Sequence, residues 1–208
     1  TTAASDMVSY RVTVNVSGIA ESTGAIAIDM TNGDGANNNQ TQVIQFSTNG
    51  GMPDGARLIG DASGSFTPGP GRVGDAQFFN EISQPTLYGG TLSFVMSVSV
   101  NGAYTPFPDA VSFYLLDANG MPYGTDDPLG TDALFVVEIS GNQPQASLYN
   151  GGTGKATVDL IGKPVAVAGG PYSVLLGNTL TLDGSGSYDP EGAMLVYSWD
   201  FGDGATGS

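Results

Sequence analysis

The sequence contains no cysteine and no histidine. Their absence excludes disulfide bonds, thiol nucleophiles, Ser-His-Asp triads and histidine-based zinc or iron sites. Lysine and arginine are also scarce, 5 residues against 20 aspartates and glutamates, so the formal net charge is −15. Because phosphate groups are bound mainly by lysine and arginine, no nucleic acid or anionic membrane surface is expected as a partner.

Long apolar runs are missing as well. No run approaches the ~20 residues that cross a bilayer, so no membrane span is expected. The first residues, 1–5, are small and polar and do not begin with Met. A mature chain after signal-peptide removal begins in this way, and so does a fragment. We expect an extracellular or cell-surface protein whose acidity either keeps it soluble or includes carboxylates that bind Ca²⁺.

Glycine is abundant, with 32 residues in a chain of 208. Asn, Ser and Thr are plentiful and helix-forming residues are sparse, a mixture that favours strands joined by tight turns. A chain of this length can hold one large domain, or one medium domain and a small one. The composition therefore predicts an all-β protein.

The clearest alternation of apolar and polar residues lies at the beginning of the chain. One face of residues 7–16 is apolar, and the other carries Ser9, Arg11, Thr13 and Asn15. A period of two predicts a strand with one buried side. The apolar face consists of Val8, Tyr10, Val12, Val14 and Val16.

Further short strands separated by turn residues follow as far as residue 161. They are predicted at 25–30, 42–47, 91–100, 110–116, 133–139 and 156–161. Turn signals about every 8–12 residues are typical of a β-sandwich with Greek-key or jelly-roll-like connections. We assign it to residues 17–162. One short helix is predicted at 75–83, with Asp75 as its cap and Phe78, Phe79 and Ile82 facing a sheet.

Three segments of this region carry a family resemblance. Residues 78–81 (FFNE), 90–94 (GTLSF) and 111–117 (VSFYLLD) resemble a group of exported bacterial proteins, many of which end in a PEP-CTERM surface-sorting tail. The resemblance implies a surface or extracellular role and supplies no catalytic residues. The Pro-Glu-Pro tail is absent from this sequence, which leaves its anchoring open.

The composition changes after residue 162. Residues 183–192 (DGSGSYDPEG) and 197–204 (YSWDFGDG) resemble the first half of a PKD domain. This resemblance implies an immunoglobulin-like sandwich of the kind that serves as a spacer or adhesive module in exported bacterial proteins. We therefore expect residues 163–208 to form a partial PKD-like domain, with strands at 178–182 and 195–201.

A half sandwich would leave Trp199 and Phe201 without a covering sheet and would expose unpaired strand edges. A strand donated by another copy could cover them, and residues 1–16 are the candidate donor because their apolar face is so regular. Head-to-tail donation that does not close into a ring produces a filament. Two other interpretations stay open: the sequence is a truncated record, or residues 7–16 are the first strand of their own sandwich.

The acidic residues predict no catalytic pair. Most aspartates lie beside Gly, Pro or Asn, where a turn explains them, and no motif joins two of the four glutamates. We therefore predict that the protein is not an enzyme. Calcium is the more specific hypothesis, since hard oxygen ligands on loops suit Ca²⁺. Two groups of candidate ligands are Asp126 with Asp127, and Asp183, Asp189 and Glu191 in the PKD-like turn.

Two triplets fit the N-glycosylation sequon, beginning at Asn15 and at Asn39. The predicted loop position favours Asn39.

Taken together, these features predict a non-catalytic extracellular structural protein, a subunit of a bacterial surface fibre or pilus-like homo-oligomer assembled by strand donation. The alternative is an adhesive or glycan-binding module from a larger secreted hydrolase. Such a module needs exposed aromatic side chains, for which Tyr104, Phe107 and Tyr123 are the candidates.

Overall fold

The structure is a computed structural model of the 208-residue chain. It describes residues 7–100, 106–141, 143–162, 164–175, 177–188, 195–202 and 204–207. The chain divides into two compact units, Thr1–Leu160 and Ile161–Ser208. They are called the sandwich unit and the C-terminal unit below, and each is described by itself.

The described residues form fourteen strands and one 3-10 turn, Ser17–Ile19. In chain order the strands are β1 (Met7–Asn15), β2 (Thr23–Thr31), β3 (Gln40–Thr48), β4 (Arg57–Ile59), β5 (Ala62–Gly64), β6 (Gly71–Gly74), β7 (Phe79–Leu87), β8 (Thr91–Ser99), β9 (Asp109–Leu116), β10 (Phe135–Ile139), β11 (Gln145–Leu148), β12 (Lys155–Ile161), β13 (Trp199–Asp200) and β14 (Thr206–Gly207). The all-β class predicted from the composition is confirmed.

Two six-stranded sheets make up the sandwich. The first has the order β12-β1-β8-β3-β6-β5 and the second the order β11-β10-β9-β2-β7-β4. The chain passes repeatedly from one sheet to the other, so neighbouring strands are often distant in sequence. β1, for example, pairs antiparallel with β8, and β2 with β7 and β9.

Alternating side chains of both sheets fill the core. The predicted apolar face of β1 is confirmed: Tyr10, Val12 and Val14 are buried, Val16 just after the strand is buried too, and Val8 packs against the same core. Three aromatic rings connect the two sheets at the centre. Phe113 of β9 stacks on Phe135 of β10 with ring centroids 5.1 Å apart and lies 5.4 Å from Phe94 of β8.

The predicted helix at 75–83 is wrong. Residues 79–87 form β7, which pairs with β2 over nine positions. Phe78 and Phe79 are exposed, and only Ile82 of the three proposed apolar contacts is buried. The sequence of β7 shows no alternation of apolar and polar residues, because its other inward positions are polar. They are Asn80, Gln84 and Thr86, and each forms hydrogen bonds inside the sandwich.

The C-terminal unit contains less regular structure than the sequence predicts. The described residues of 178–182 and 195–198 form no strand, so both predicted strands are wrong there. Among the described residues from 164 onwards, the two-residue strands β13 and β14 pair with each other, and Val165 bridges to Tyr188. Because side chains such as Leu180 and Val196 are exposed, no packed sheet face holds these segments extended.

Candidate functional site

The structure places the candidate donor strand within its own sandwich. β1 pairs with β8 over nine positions, from Met7 opposite Ser99 to Asn15 opposite Thr91, and β12 lies along its other edge. The hydroxyl of Tyr10 donates to the backbone carbonyl of Pro144 at 2.7 Å. In the single chain, β1 is therefore the first strand of its own sandwich, one of the two interpretations that the sequence left open.

The proposed receiving surface lies in the C-terminal unit. Trp199 and Tyr197 line an open cavity of about 410 Å³ together with Leu182, Gly184 and Ser185. A Cβ atom on Gly184 would lie 3.1 Å from Trp199 Cζ2 and 3.2 Å from Tyr197, so glycine lets the two rings approach the backbone closely. The cavity thus depends on a glycine in the PKD-like turn and on aromatic residues of the following segment.

Several apolar side chains of the C-terminal unit are exposed. Val196 is 95% exposed, Leu175 76% and Phe201 50%. Exposed apolar area is unfavourable in water, so such side chains are candidates for a contact surface. We call this group, together with the cavity of Trp199, the C-terminal apolar surface.

Three of the candidate calcium ligands, Asp126, Asp127 and Asp183, lie within the described residues. Each of their carboxylates accepts hydrogen bonds from loop residues. Asp126 Oδ1 accepts from the N–H of Gly151 at 2.7 Å. Both the N–H and the hydroxyl of Thr131 donate to Asp127 Oδ2. Asp183 Oδ1 accepts from the Ser185 N–H at 2.9 Å.

The pKa values of two of these carboxyls follow from these contacts. Burial opposes the ionisation of Asp127, but hydrogen bonds from Thr131 and Leu129 outweigh it and lower its pKa. Hydrogen bonds from the side chain and backbone of Ser185 lower the pKa of Asp183. Asp189 and Glu191 lie outside the described residues. Within the described ranges no three Asp or Glu side chains converge as metal ligands, and calcium binding stays a prediction.

Of the two sequons, the one favoured for its loop position has a buried asparagine. Asn39 does lie in a loop but is only 5% exposed, and glycosylation at either site stays a prediction. Its Nδ2 donates to Asp109 Oδ2 at 2.7 Å, and its Oδ1 accepts from the Ser99 hydroxyl at 2.9 Å. A sugar on this nitrogen would break a buried network. Asn15 lies at the exposed end of β1, where its Oδ1 accepts from Ser17.

Sequence reasoning missed the carboxyl pair that anchors the polar loop of residues 32–39. Asp109 Oδ1 accepts from the N–H groups of Gly33 and Asp34, at 2.7 and 3.2 Å. Asp75, predicted as a helix cap, is buried and accepts from the N–H of Asn39 at 2.8 Å. Burial raises the pKa of Asp75, and the hydrogen-bonded carboxyl of Asp109 adds to this effect. No local pattern marks these residues, because they come from distant parts of the sequence.

The aromatic candidates for glycan binding lie in different environments. Phe107 is 71% exposed. Tyr123 is not an exposed platform: it packs against the core and meets the ring of Tyr88 edge-on, with centroids 6.1 Å apart. Tyr104 lies outside the described residues.

Across the described ranges, no helix has the length and apolar character needed to cross a bilayer. The chain matches none of the curated proteins and none of the solved structures with which it was compared. The resemblance of residues 7–161 to PEP-CTERM-type exported proteins stays a prediction. Residues 162–208 match the family model of the PKD domain, which supports the PKD part of the sequence interpretation.

Proposed function

We propose that this chain is a non-catalytic extracellular structural protein, and that copies of it join into a fibre by β-strand addition at the C-terminal apolar surface. The match of residues 162–208 to the PKD domain supports the general part of this proposal, since PKD domains are immunoglobulin-like, non-catalytic modules that are typically extracellular. The assembly is the specific part.

The observation that carries the assembly is the exposure of Val196, Phe201 and Leu175 in the same unit that holds the cavity of Trp199. An added strand pairs with exposed backbone groups and places alternate side chains in such a cavity. Covering one large apolar side chain contributes about 1.5–3 kcal/mol, so two or three of them support a specific contact. The occupant that we propose is a strand of a second copy of this chain.

Because β1 is paired and buried in its own sandwich, the conditions under which it could be donated to a second copy are restricted. Removing it would expose four buried side chains, Tyr10, Val12, Val14 and Val16, and unpair it from β8. At about 1.5–3 kcal/mol each, this costs roughly 6–12 kcal/mol, which is comparable with the whole stability of a domain. Donation by β1 is therefore limited to chains that assemble while they fold, and a folded copy keeps its β1.

Charge sets the conditions for assembly. Copies with a formal charge of −15 repel one another, and salt screens that repulsion. We expect more assembly at high ionic strength, and more when chains are refolded together than when folded monomers are mixed.

The experiment compares the wild type with Val196→Asp by size-exclusion chromatography with light scattering and by negative-stain electron microscopy. Val196 is 95% exposed, so the substitution leaves packing intact and places a charge on the C-terminal apolar surface. The matched control is Leu129→Asp, at a residue of the sandwich unit that is 81% exposed. We expect oligomers or fibres for the wild type and Leu129→Asp, and monomers for Val196→Asp. Monodisperse wild-type monomers at every salt and protein concentration, including after refolding together, would refute the proposal.

A further inference from the structure

A second concave site lies in the sandwich unit, on the outer face of the second sheet. Its floor is the outward side of β2, where Ala25, Ala27 and Asp29 alternate with the core residues Ile26 and Ile28. β2 lies between β7 and β9, which carry larger outward side chains. The small alanines therefore leave a cavity of about 400 Å³, here called the outer groove.

The strand register determines the walls of the outer groove. Ala27 lies opposite Ser83 of β7 on one side and Tyr114 of β9 on the other. Ala25 lies opposite Pro85 and Leu116 in the same way. One half of the groove is therefore mainly apolar, with an aromatic ring in its wall, and the volume is within the range of small-ligand sites.

The other half carries a pair of carboxyl groups. Asp29 of β2 lies directly opposite Glu81 of β7, and the two side chains share a hydrogen bond. Glu81 Oε1 also accepts from the Ser83 hydroxyl at 2.9 Å and from Arg57 Nη1 at 3.4 Å. Asp29 Oδ1 is buried, and no group in the described part of the chain donates to it.

Asp29 lies close to another carboxyl group and keeps its proton at neutral pH. Burial above all, together with the charge and hydrogen bond of Glu81, raises the pKa of Asp29 to about 8. Protonated Asp29 is neutral, and the charge of Glu81 is balanced by Arg57. The polar half of the groove is thus formally neutral, and it offers a carboxylic O–H, carboxylate oxygens, a hydroxyl and a guanidinium.

This combination suits a neutral ligand that both donates and accepts hydrogen bonds and has an apolar face. An anion would meet the unpaired Oδ1 and the carboxylate, and a cation would have to displace the proton of Asp29. We propose that the outer groove binds one or two units of a neutral saccharide, with hydroxyl groups on the Asp29–Glu81 pair and a C–H face against Tyr114. The inference is independent of the proposed assembly, because every residue involved lies in the sandwich unit.

The geometry indicates binding rather than hydrolysis. Glycosidases keep their two carboxyl groups about 5–5.5 Å or about 6.5–9.5 Å apart, so that one of them attacks or activates water. Asp29 and Glu81 lie directly opposite each other on neighbouring strands, and Glu81 is already engaged by hydrogen bonds from Ser83 and Arg57, so the pair is arranged to hold a ligand.

The test uses the whole chain. An array of neutral oligosaccharides is followed by isothermal titration calorimetry with the best binder and with maltotetraose, cellotetraose and N-acetylated chitotetraose. Tyr114→Ala removes the aromatic wall. Ala27→Gln replaces a small side chain that points away from the core with a longer one, which fills the groove. We expect each variant to weaken binding at least tenfold. The control Phe78→Ala, at an exposed aromatic residue that does not line the groove, should bind like the wild type.

The pH dependence of saccharide binding by the wild type tests the role of the Asp29–Glu81 pair without any variant. The titratable or charged groups at Asp29 are Glu81 of β7, Tyr114 of β9 and, through Glu81, Arg57 of β4. Saccharide affinity should fall above pH 8, about tenfold per pH unit, because the bound form needs the proton. Binding that strengthens with pH, or competition by spermidine or Ca²⁺, would show a cation site and overturn the proposal. So would the absence of any neutral oligosaccharide binder, unchanged binding by both groove variants, or loss of binding in Phe78→Ala.

Discussion

Replacing Asp29 by Asn tests whether the sandwich unit holds a proton on this side chain. Asn has nearly the same shape, is neutral at every pH and can donate to Glu81. Burial and Glu81 raise the pKa of Asp29 to about 8 in the folded protein, whereas about 3.9 is expected in the unfolded chain.

These two pKa values determine whether the free energy of unfolding rises or falls with pH. Between pH 4 and pH 8 the unfolded chain has lost this proton and the folded chain retains it, so the free energy of unfolding falls as the pH rises. The contribution of the protonated carboxyl is fully present below about pH 4 and is lost towards pH 8. The difference between the two pKa values sets a ceiling of about 5 kcal/mol. Because Asp29 is partly exposed and shares its proton with Glu81, we expect Asp29→Asn to stabilise the sandwich by roughly 2–4 kcal/mol at pH 8 and by nearly nothing at pH 4.

The assay is urea unfolding followed by far-UV circular dichroism at several pH values between 4 and 8. The fluorescence of Trp199, the only tryptophan, reports on the C-terminal unit separately. Ser112→Ala is the matched control, since Ser112 lies opposite Asp29 on β9 and does not titrate in this range. Any effect of Ser112→Ala on the free energy of unfolding should be the same at every pH. Parallel curves for Asp29→Asn and the wild type would refute the argument, because they would mean that Asp29 is already ionised near pH 4 in the folded state.

Three further predictions concern packing, backbone approach and metal binding. Phe113→Ala should destabilise the sandwich by about 3–5 kcal/mol in urea unfolding, because the ring is fully buried between both sheets; Phe78→Ala, at a residue that is 75% exposed, should change little. Gly24→Ala should cost at least about 1–3 kcal/mol, since its Cβ would lie 2.0 Å from the Leu116 carbonyl oxygen; Gly18→Ala, where the nearest atom is 3.5 Å away, should be tolerated much better. If the PKD-like turn binds calcium, EGTA should lower the melting temperature of the wild type and Asp183→Asn should abolish that shift; a melting temperature insensitive to both Ca²⁺ and EGTA would contradict the calcium prediction.

A comparison of β1 with β7 shows how much of the fold can be predicted from short stretches of sequence. In β1 every inward position is apolar, so the period of two is visible in the sequence and predicts both the strand and its buried face. In β7 the inward positions include Asn80 and Gln84. Their partners are the backbone groups of Met30 and Phe66. Because those partners are remote in sequence, the local pattern predicts a helix where the structure has a strand.

The sequence by itself determined the all-β class, the buried side of β1 and the PKD-like character of the C-terminal residues, since each depends on spacing within a few neighbouring residues. Only the tertiary structure decided that β1 stays in its own sandwich, that Asn39 is buried against Asp109, and that Asp29 meets Glu81 above a floor of alanines. These pairings arise from the register of strands that lie far apart along the chain, and no local pattern of residues encodes that register.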